Sequence, residues 1–244
     1  MEKKISLQIV IPIFNEEKEL EGSIDKLHSY LTKNFDSYIW NITIADNAST
    51  DNSLKIARRL SNNKKGVNFI HLKQKGRGLA VKKAWQSKGT DIMAYMDVDL
   101  STELKFFKPL IDSLIKGYDI AIGNRLMNSS TVKDRPLKRE ILSRVYNVLI
   151  RIIFRVKFTD AQCGFKAVRR EVVKKLIPHI RDNAWFFDSE MLIVGEKVGY
   201  RIYQQAVHWK DNPGSTVRVL KTVFGDLTGL WRLFWMRPWI KIKL

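Results

Sequence analysis

Ile92-Met93-Ala94-Tyr95-Met96-Asp97-Val98-Asp99-Leu100 decides how this chain is read. Its first five residues form an apolar run between Gly89-Thr90-Asp91 and Ser101-Thr102, the pattern of a buried strand. Side chains two apart on a strand share a side, so Asp97 and Asp99 set two carboxylates together where strand passes into loop. Adjacent anions repel unless a cation or a raised pKa relieves them. A hard divalent ion, Mg2+ or Mn2+, that also grips a diphosphate suits such a pair. Asp97 and Asp99 are therefore the candidate metal ligands. On these residues alone a second reading stays open, with Asp99 or Ser101 capping a helix that begins near Glu103.

Upstream, residues 5–13 are continuously apolar with Pro12 near the end, as in a central parallel strand. Asn15-Glu16-Glu17 then reads as a helix start with Asn15 as N-cap, followed by a buried stripe of Leu20, Ile24, Leu27 and Leu31. A second strand is expected over 38–45, ending in the polar loop Asp46-Asn47-Ala48-Ser49-Thr50-Asp51, and a helix over 53–60. Residues 67–72 predict a third strand, and Gly76-Arg77-Gly78 opens a helix to about residue 87. Four strands alternating with helices predict an α/β fold, a mostly parallel central sheet flanked by helices. Glu16, Asp46 and Asp97 should then gather at the carboxyl ends of the strands, where such sheets bind ligands. The glycines of a dinucleotide-binding turn are missing after the first strand. Gly76-Arg77-Gly78 follows the third strand instead and reads as a helix-start turn before it reads as a phosphate cradle.

Downstream, residues 119–124 predict a fifth strand leading into Gly123-Asn124-Arg125. A helix is expected over 137–156, with Leu142, Val145, Leu149, Ile152 and Val156 sharing one apolar face. Arg144, Arg151 and Arg155 fall on the opposite face, either as a solvated stripe or, with Arg125 and Asn147, as a phosphate-binding set suited to bidentate guanidinium contacts. Residues 160–166 read as strand-like, Trp185-Phe186-Phe187-Asp188-Ser189-Glu190 opens a helix to 198, and 200–209 is a last strand. His28, His71 and His179 read as ordinary packing or surface residues, and no two histidines have metal-ligand spacing. Residues 217–244 mix Phe224, Trp231, Phe234, Trp235 and Trp239 with Arg232, Arg237, Lys241 and Lys243. That is the pattern of an amphipathic helix at a membrane surface, with docking on this chain's own core or on a partner as the alternative. The chain thus divides into a domain over 1–216 and an appendage over 217–244.

The 244 residues are 45% hydrophobic, enough for one large domain, and carry a formal charge of +18. An excess of cations implies an anionic partner. Nucleic acid is not expected, because Glu16, Asp46, Asp97 and Asp99 would line one rim with negative charge. Cys163 is the single cysteine, so there is no disulfide framework and no cysteine-rich zinc site. No stretch approaches the roughly 18 apolar residues of a membrane span, and the first residues lack a signal-peptide pattern. Peripheral residence at the cytoplasmic face of a membrane is the expectation.

The order of these motifs resembles glycosyltransferase family 2, with its GT-A fold, and more narrowly the polyprenyl-phosphate glycosyltransferases. Pro12-Ile13-Phe14-Asn15-Glu16, Asp46 with Ser49 and Asp51, Asp97-Val98-Asp99 and Gly123-Asn124-Arg125 carry the family resemblance. Ser143-Arg144 with Asn147, the run Asp160-Ala161-Gln162-Cys163-Gly164-Phe165-Lys166, Phe187-Asp188-Ser189-Glu190 and Pro213-Gly214-Ser215 are more similar to dolichyl-phosphate β-glucosyltransferases than to the mannosyl enzymes. Phe14 stands where the family usually has Tyr, Asn47 where a second Asp is frequent, and Ser101 where mannosyl enzymes often carry Gln.

The resemblance implies a metal-dependent, inverting transfer of a hexose from a nucleotide-sugar onto a polyprenyl or dolichyl phosphate. Glucose from UDP-glucose is the first expectation and mannose from GDP-mannose the second. The donor would lie against Pro12, Phe14, Asn15, Glu16, Asp46, Asp97, Val98 and Asp99, with Lys210 and Arg218 at its phosphates. The acceptor would meet Arg125, Ser143, Arg144 and Arg151. Asp99, Arg125 and Asp188 are the implied catalytic residues. Asp188 orients the acceptor or sugar, or serves as general base if the acceptor is a sugar hydroxyl, in a family 2 enzyme of another kind.

Overall fold

The computed structural model describes residues 4–87, 89–211 and 219–242. The amino-terminal half runs β1 (Ser6–Ile13), α1 (Leu20–Asn34), β2 (Ile39–Asn47), α2 (Ser53–Asn63), β3 (Val67–Leu72), α3 (Arg77–Ser87), β4 (Ile92–Met96) and α4 (Phe107–Ile115). It continues as β5 (Ile120–Asn124), β6 (Thr131–Lys133), α5 (Leu137–Phe154), β7 (Phe165–Arg169), α6 (Arg170–Leu176), α7 (Phe187–Val198), β8 (Ile202–Ala206), β9 (His208–Lys210) and α8 (Val219–Met236).

Seven strands form one sheet in the order β3-β2-β1-β4-β7-β5-β8, mostly parallel as expected, with β7 antiparallel to both β4 and β5. Alternation along the strands sorts side chains to two cores. Leu7, Ile9 and Ile11 of β1 pack with α1, α2 and α4, while Val10 joins α3, α6, α7 and α8 on the other face. Helices therefore cover both faces. The predicted α1 stripe of Leu20, Ile24, Leu27 and Leu31 is fully buried. Among the described residues no helix is long and apolar enough to cross a membrane.

Three expectations need correction. α1 begins at Leu20, not at Asn15. Asn15 instead sits in the left-handed region at φ 57, which Asn tolerates better than most residues. Its backbone N–H donates to Ser49 Oγ at 3.0 Å and its Oδ1 accepts the Thr50 N–H at 2.8 Å, so the loop after β1 is fastened to the loop after β2. The single last strand over 200–209 is two: β8 stays in the main sheet, and β9 leaves it to pair with β6.

The third correction concerns α5, where the helix forms but its expected apolar face is split: Leu149 packs on the core and Val156, just past the helix, is buried, whereas Val145 and Ile152 point outward. Val145 is 60% and Ile152 71% exposed, while Ser143, Asn147, Ile150 and Phe154 are buried. Asn147 explains the choice. Its Nδ2 donates to Ser143 O and its Oδ1 accepts the Ala161 N–H, both at 2.8 Å, so the buried face serves the polar backbone of the 160–163 loop.

Candidate active site

Register brings the acidic residues to one edge. Ile13 lies opposite Asp46 on the paired β1 and β2, and Val10 opposite Tyr95 on β1 and β4. β4 ends at Met96, so Asp97 and Asp99 occupy a tight turn rather than the strand itself, with Leu100 at φ 48. Asp99 Oδ1 accepts the Ser101 N–H at 2.9 Å, closing that turn. The helix-capping alternative is not what forms, since the helical turn after Glu103 has no side-chain cap.

Asp97 and Asp99 line a small cavity with Ser101, Thr102, Gly164 and Trp209. Burial, and then the Asp97 carboxylate, pushes Asp99 above the usual carboxylate range. Glu16 is pushed up to about 7 by burial and by Glu19, Asp99, Asp51 and Asp97. The Ser101 hydroxyl is buried here without a hydrogen-bond partner. Crowded carboxylates beside a spare hydroxyl are a hard-oxygen donor set, and they fit a divalent ion such as Mg2+ or Mn2+. Among the described residues no third His, Cys, Asp or Glu completes a cluster. Water would fill remaining positions, as is usual for Mg2+.

Gly164 sets the position of Asp97. Its carbonyl accepts the Asp97 N–H at 3.1 Å, and a Cβ at this glycine would collide with the Asp97 carboxylate. The neighbouring Cys163 thiol is buried and pushed up to about 12, so it stays protonated and inert.

Behind the acids stands an arrangement that sequence reasoning missed. Arg77, at the start of α3, donates to Asp97 Oδ1 at 2.6 Å and to Asp188 Oδ2 at 2.7 Å. Its guanidinium lies 5.0 Å from the Tyr95 ring centroid and 5.1 Å from that of Trp185. Asp188 also pairs with Lys166 at 2.9 Å and accepts from the Tyr95 hydroxyl. Burial opposes its ionisation, but Lys166 and Arg77 outweigh burial and hold Asp188 below the usual range. The glycines of Gly76-Arg77-Gly78 prove to be packing residues: a Cβ at Gly78 would collide with Phe187, and one at Gly76 with the Asn183 carbonyl. The turn delivers Arg77, and its Gly76 and Gly78 N–H groups are already taken by Asn47 Oδ1 and the Ala184 carbonyl.

In the corner formed by the loops after β1 and β2, Pro12 is buried and Phe14 half-buried, with Lys75 Nζ 3.2 Å from the Phe14 ring centroid. Asp46 is fully buried; it accepts the Ser49 N–H at 3.3 Å and lies 2.6 Å from His71 Nδ1. His71 is thus part of this corner rather than ordinary packing. Val98 is buried in the turn between the two acids.

Arg125 heads a second depression. Its backbone N–H, Nε and Nη2 all donate to Asp160 at 2.8–2.9 Å. Burial raises Asp160, but Arg125 more than reverses this and holds it at about 2. The Arg125 and Arg135 guanidiniums lie 5.4 and 5.6 Å from the Trp209 ring centroid. Arg135 pairs with Glu140 at 2.7 Å, and Glu140 with Arg144 at 2.6 Å. These residues, with Leu126, Met127, Val132 and Leu137, line a groove of about 420 Å³.

The other predicted residues fall outside this groove. Ser143 faces inward at 7% exposure. Arg151 is exposed, two turns along α5 from Arg144, or about 10 Å by helix rise. Lys210 is exposed, 3.7 Å from Asp134. Arg218 and Pro213-Gly214-Ser215 lie outside the described residues.

One face of α8 docks on the core. Leu230 and Leu233 are buried, Gly229 sits against the Phe186 ring, Arg232 pairs with Glu190 at 2.9 Å, and Gln162 donates to Asp226 at 2.7 Å. The other face leaves Phe224 71%, Trp231 68% and Trp235 65% exposed. Docking on the chain's own core, the alternative expectation for this segment, accounts for one side of α8; the other side remains apolar and open.

The mostly parallel sheet flanked by helices is of the GT-A type, and the model of glycosyl transferase family 2 matches residues 8–177; the chain belongs to that family and is a glycosyltransferase. Among named relatives, glycosyltransferase AglD of Haloferax volcanii is 30% identical over 95% of this chain, which spans 37% of AglD. The dolichyl-phosphate beta-glucosyltransferases of Dictyostelium discoideum and Saccharomyces cerevisiae are 28% and 26% identical, over 94% and 88% of this chain and 77% and 70% of theirs. Glucosyl-3-phosphoglycerate synthase from Mycobacterium tuberculosis, solved with Mn2+, UDP-glucose and phosphoglyceric acid, shares the fold. Its TM-score is 0.71 at 15% identity, covering 94% of this chain and 79% of that one.

Proposed function

We propose that this enzyme moves a hexose, glucose from UDP-glucose first among donors, onto a polyprenyl or dolichyl phosphate with inversion at the anomeric carbon. One observation carries the reading: Trp209 lines the Asp97–Asp99 cavity and also lies beneath Arg125 and Arg135. A single indole thus separates an anionic seat for an ion and diphosphate from a cationic groove for a second phosphate. The names of the dolichyl-phosphate relatives support the choice of acceptor.

Pro12, Phe14, Asn15, Glu16 and Asp46 hold the base and ribose, with His71 fixing Asp46. Asp97 and Asp99 hold the divalent ion, which would neutralise charge on the departing nucleoside diphosphate. Arg77 keeps Asp97 in place, and Asp188 keeps Arg77. A phosphate monoester has its second pKa near about 6, so the acceptor is mostly dianionic at neutral pH and needs no general base. That suits Asp188, which is 3% exposed and already paired with two cations. Arg125, Arg135 and Arg144 orient the acceptor oxygen for in-line attack. The domain over 1–216 performs the reaction while the 217–244 segment faces the membrane from its cytoplasmic side.

The test is a donor panel including UDP-glucose and GDP-mannose, incubated with polyprenyl phosphate and Mg2+ or Mn2+ and read by mass analysis of the lipid. A hexosyl phospholipid formed from UDP-glucose is the expected product. Transfer only to sugar hydroxyls would overturn the reading, and a mannosyl product would correct the donor.

A further inference from the structure

The exposed face of α5 is the largest feature that the proposed reaction leaves unused. Leu137, Ile141, Val145, Val148 and Ile152 are 73, 51, 60, 49 and 71% exposed. At about 100° per residue they fall within about 80° of one another, a continuous stripe along the helix. Arg144, Arg151 and Arg155 flank one edge of that stripe, and all three are exposed. α8 runs beside α5 and carries its own exposed row of Phe224, Trp231 and Trp235, and Trp239, just past the end of α8, meets Phe154 edge to face at 6.1 Å. Two adjoining helices thus share one core and both turn apolar faces outward.

Soluble surfaces seldom leave so much contiguous apolar area unless it meets a partner. We propose that α5 and α8 together form a platform that seats on an anionic lipid bilayer, α5 as an equal element and not a bystander to the carboxyl-terminal helix. Charge decides for lipid over a second copy of the chain. The stripe is edged with arginines on a molecule of formal charge +18, so pairing two copies would bring like charges together, whereas anionic headgroups neutralise them. Position agrees: Leu137 starts the stripe and also lines the Arg125 groove, so the groove opens where the platform begins. This rests on the proposed lipid-phosphate acceptor, and it would bring the mouth of the groove to the level of the headgroups.

The experiment is co-sedimentation of the full chain with phosphatidylcholine vesicles, with and without phosphatidylglycerol, in the absence of any sugar donor. The variants are an α5 triple, Ile141→Ser, Val145→Ser and Ile152→Ser, and an α8 pair, Trp231→Ser and Trp235→Ser. Wild type should pellet with the anionic vesicles, and each variant should bind at least about tenfold more weakly. Thermal unfolding should be unchanged, since every substituted side chain is exposed. Turnover of a water-soluble, short-chain polyprenyl phosphate by the α5 triple should also be unchanged. Undiminished vesicle binding by the α5 triple would overturn the proposal. So would sedimentation velocity showing a wild-type dimer that the triple dissolves. If no lipid phosphate is glycosylated by any form yet vesicle binding follows the α5 stripe, the reaction assignment fails and the docking surface stands.

Discussion

Arg77 and Asp188, 111 residues apart in sequence, meet at 2.7 Å in the protein interior, and the same guanidinium reaches Asp97 at 2.6 Å. Asp188 is the shared counter-ion of Arg77 and Lys166, both nearly or wholly buried. Removing one member of such a group strands charge in a low dielectric, which costs about 3–5 kcal/mol. Asp188→Ala is therefore expected to lose stability on that scale in urea unfolding. Wild-type stability for this variant would contradict the structural role.

Gly164→Ala tests the proposed metal seat separately from the fold. A Cβ there displaces the Asp97 carboxylate, a partly exposed side chain that can swing aside with little damage to the core. Disturbed support of a metal ligand typically weakens affinity about 10- to 100-fold. Mn2+ titration followed by electron paramagnetic resonance should register that loss, with the melting temperature close to wild type.

Arg135→Gln tests the acceptor groove. Arg125 gives its Nε and Nη2 to Asp160. Among the described residues Arg135, stacked over the same indole, gives only its Nη1 to Glu140, a carboxylate that Arg144 shares, and so has more charge to offer a phosphate. A lost charge-assisted hydrogen bond corresponds to about 10- to 100-fold. KM for the lipid phosphate should rise by that factor while KM for the nucleotide-sugar holds.

Asp226 makes stability depend on pH. Burial pushes it up to about 7, against about 4 in an unfolded chain. Between those values the folded protein holds a proton that the unfolded chain has released. Stability is therefore undiminished below about pH 4, falls as pH rises towards 7, and levels off above. Asp226→Asn removes the effect: unfolding near pH 4 should match wild type, and at pH 8 the variant should be more stable by about 2–4 kcal/mol. A parallel pH profile for the two proteins would show that Asp226 ionises normally.

Much of this was legible beforehand because it is local. The strand over 67–72 and the α1 stripe follow from periodicity, and the nearness of Asp97 to Asp99 past the end of β4 from their short spacing, although a turn and not the strand alternation brings them together. Arg77 was not legible, since its partners lie 20 and 111 residues away and a lone arginine between glycines carries no signal of them. His71 was passed over for the same reason: its partner Asp46 is brought alongside only by β2–β3 pairing. For α5 the sequence shows an apolar helix, but which side turns inward was settled by the 160–163 loop, whose backbone required Asn147.

The cross-ties between the first two loops have a consequence for recognition. Asn15 to Thr50, Glu16 to Ser53 and Glu17 to Asn52 join them by four hydrogen bonds of 2.8–3.0 Å. Their conformational entropy is lost when the chain folds, not when a nucleotide arrives. In the proposed reaction a base would therefore meet a rigid mould, and altered bases would be penalised in affinity, while the bond-breaking step a few residues away would proceed unchanged in those molecules that do bind.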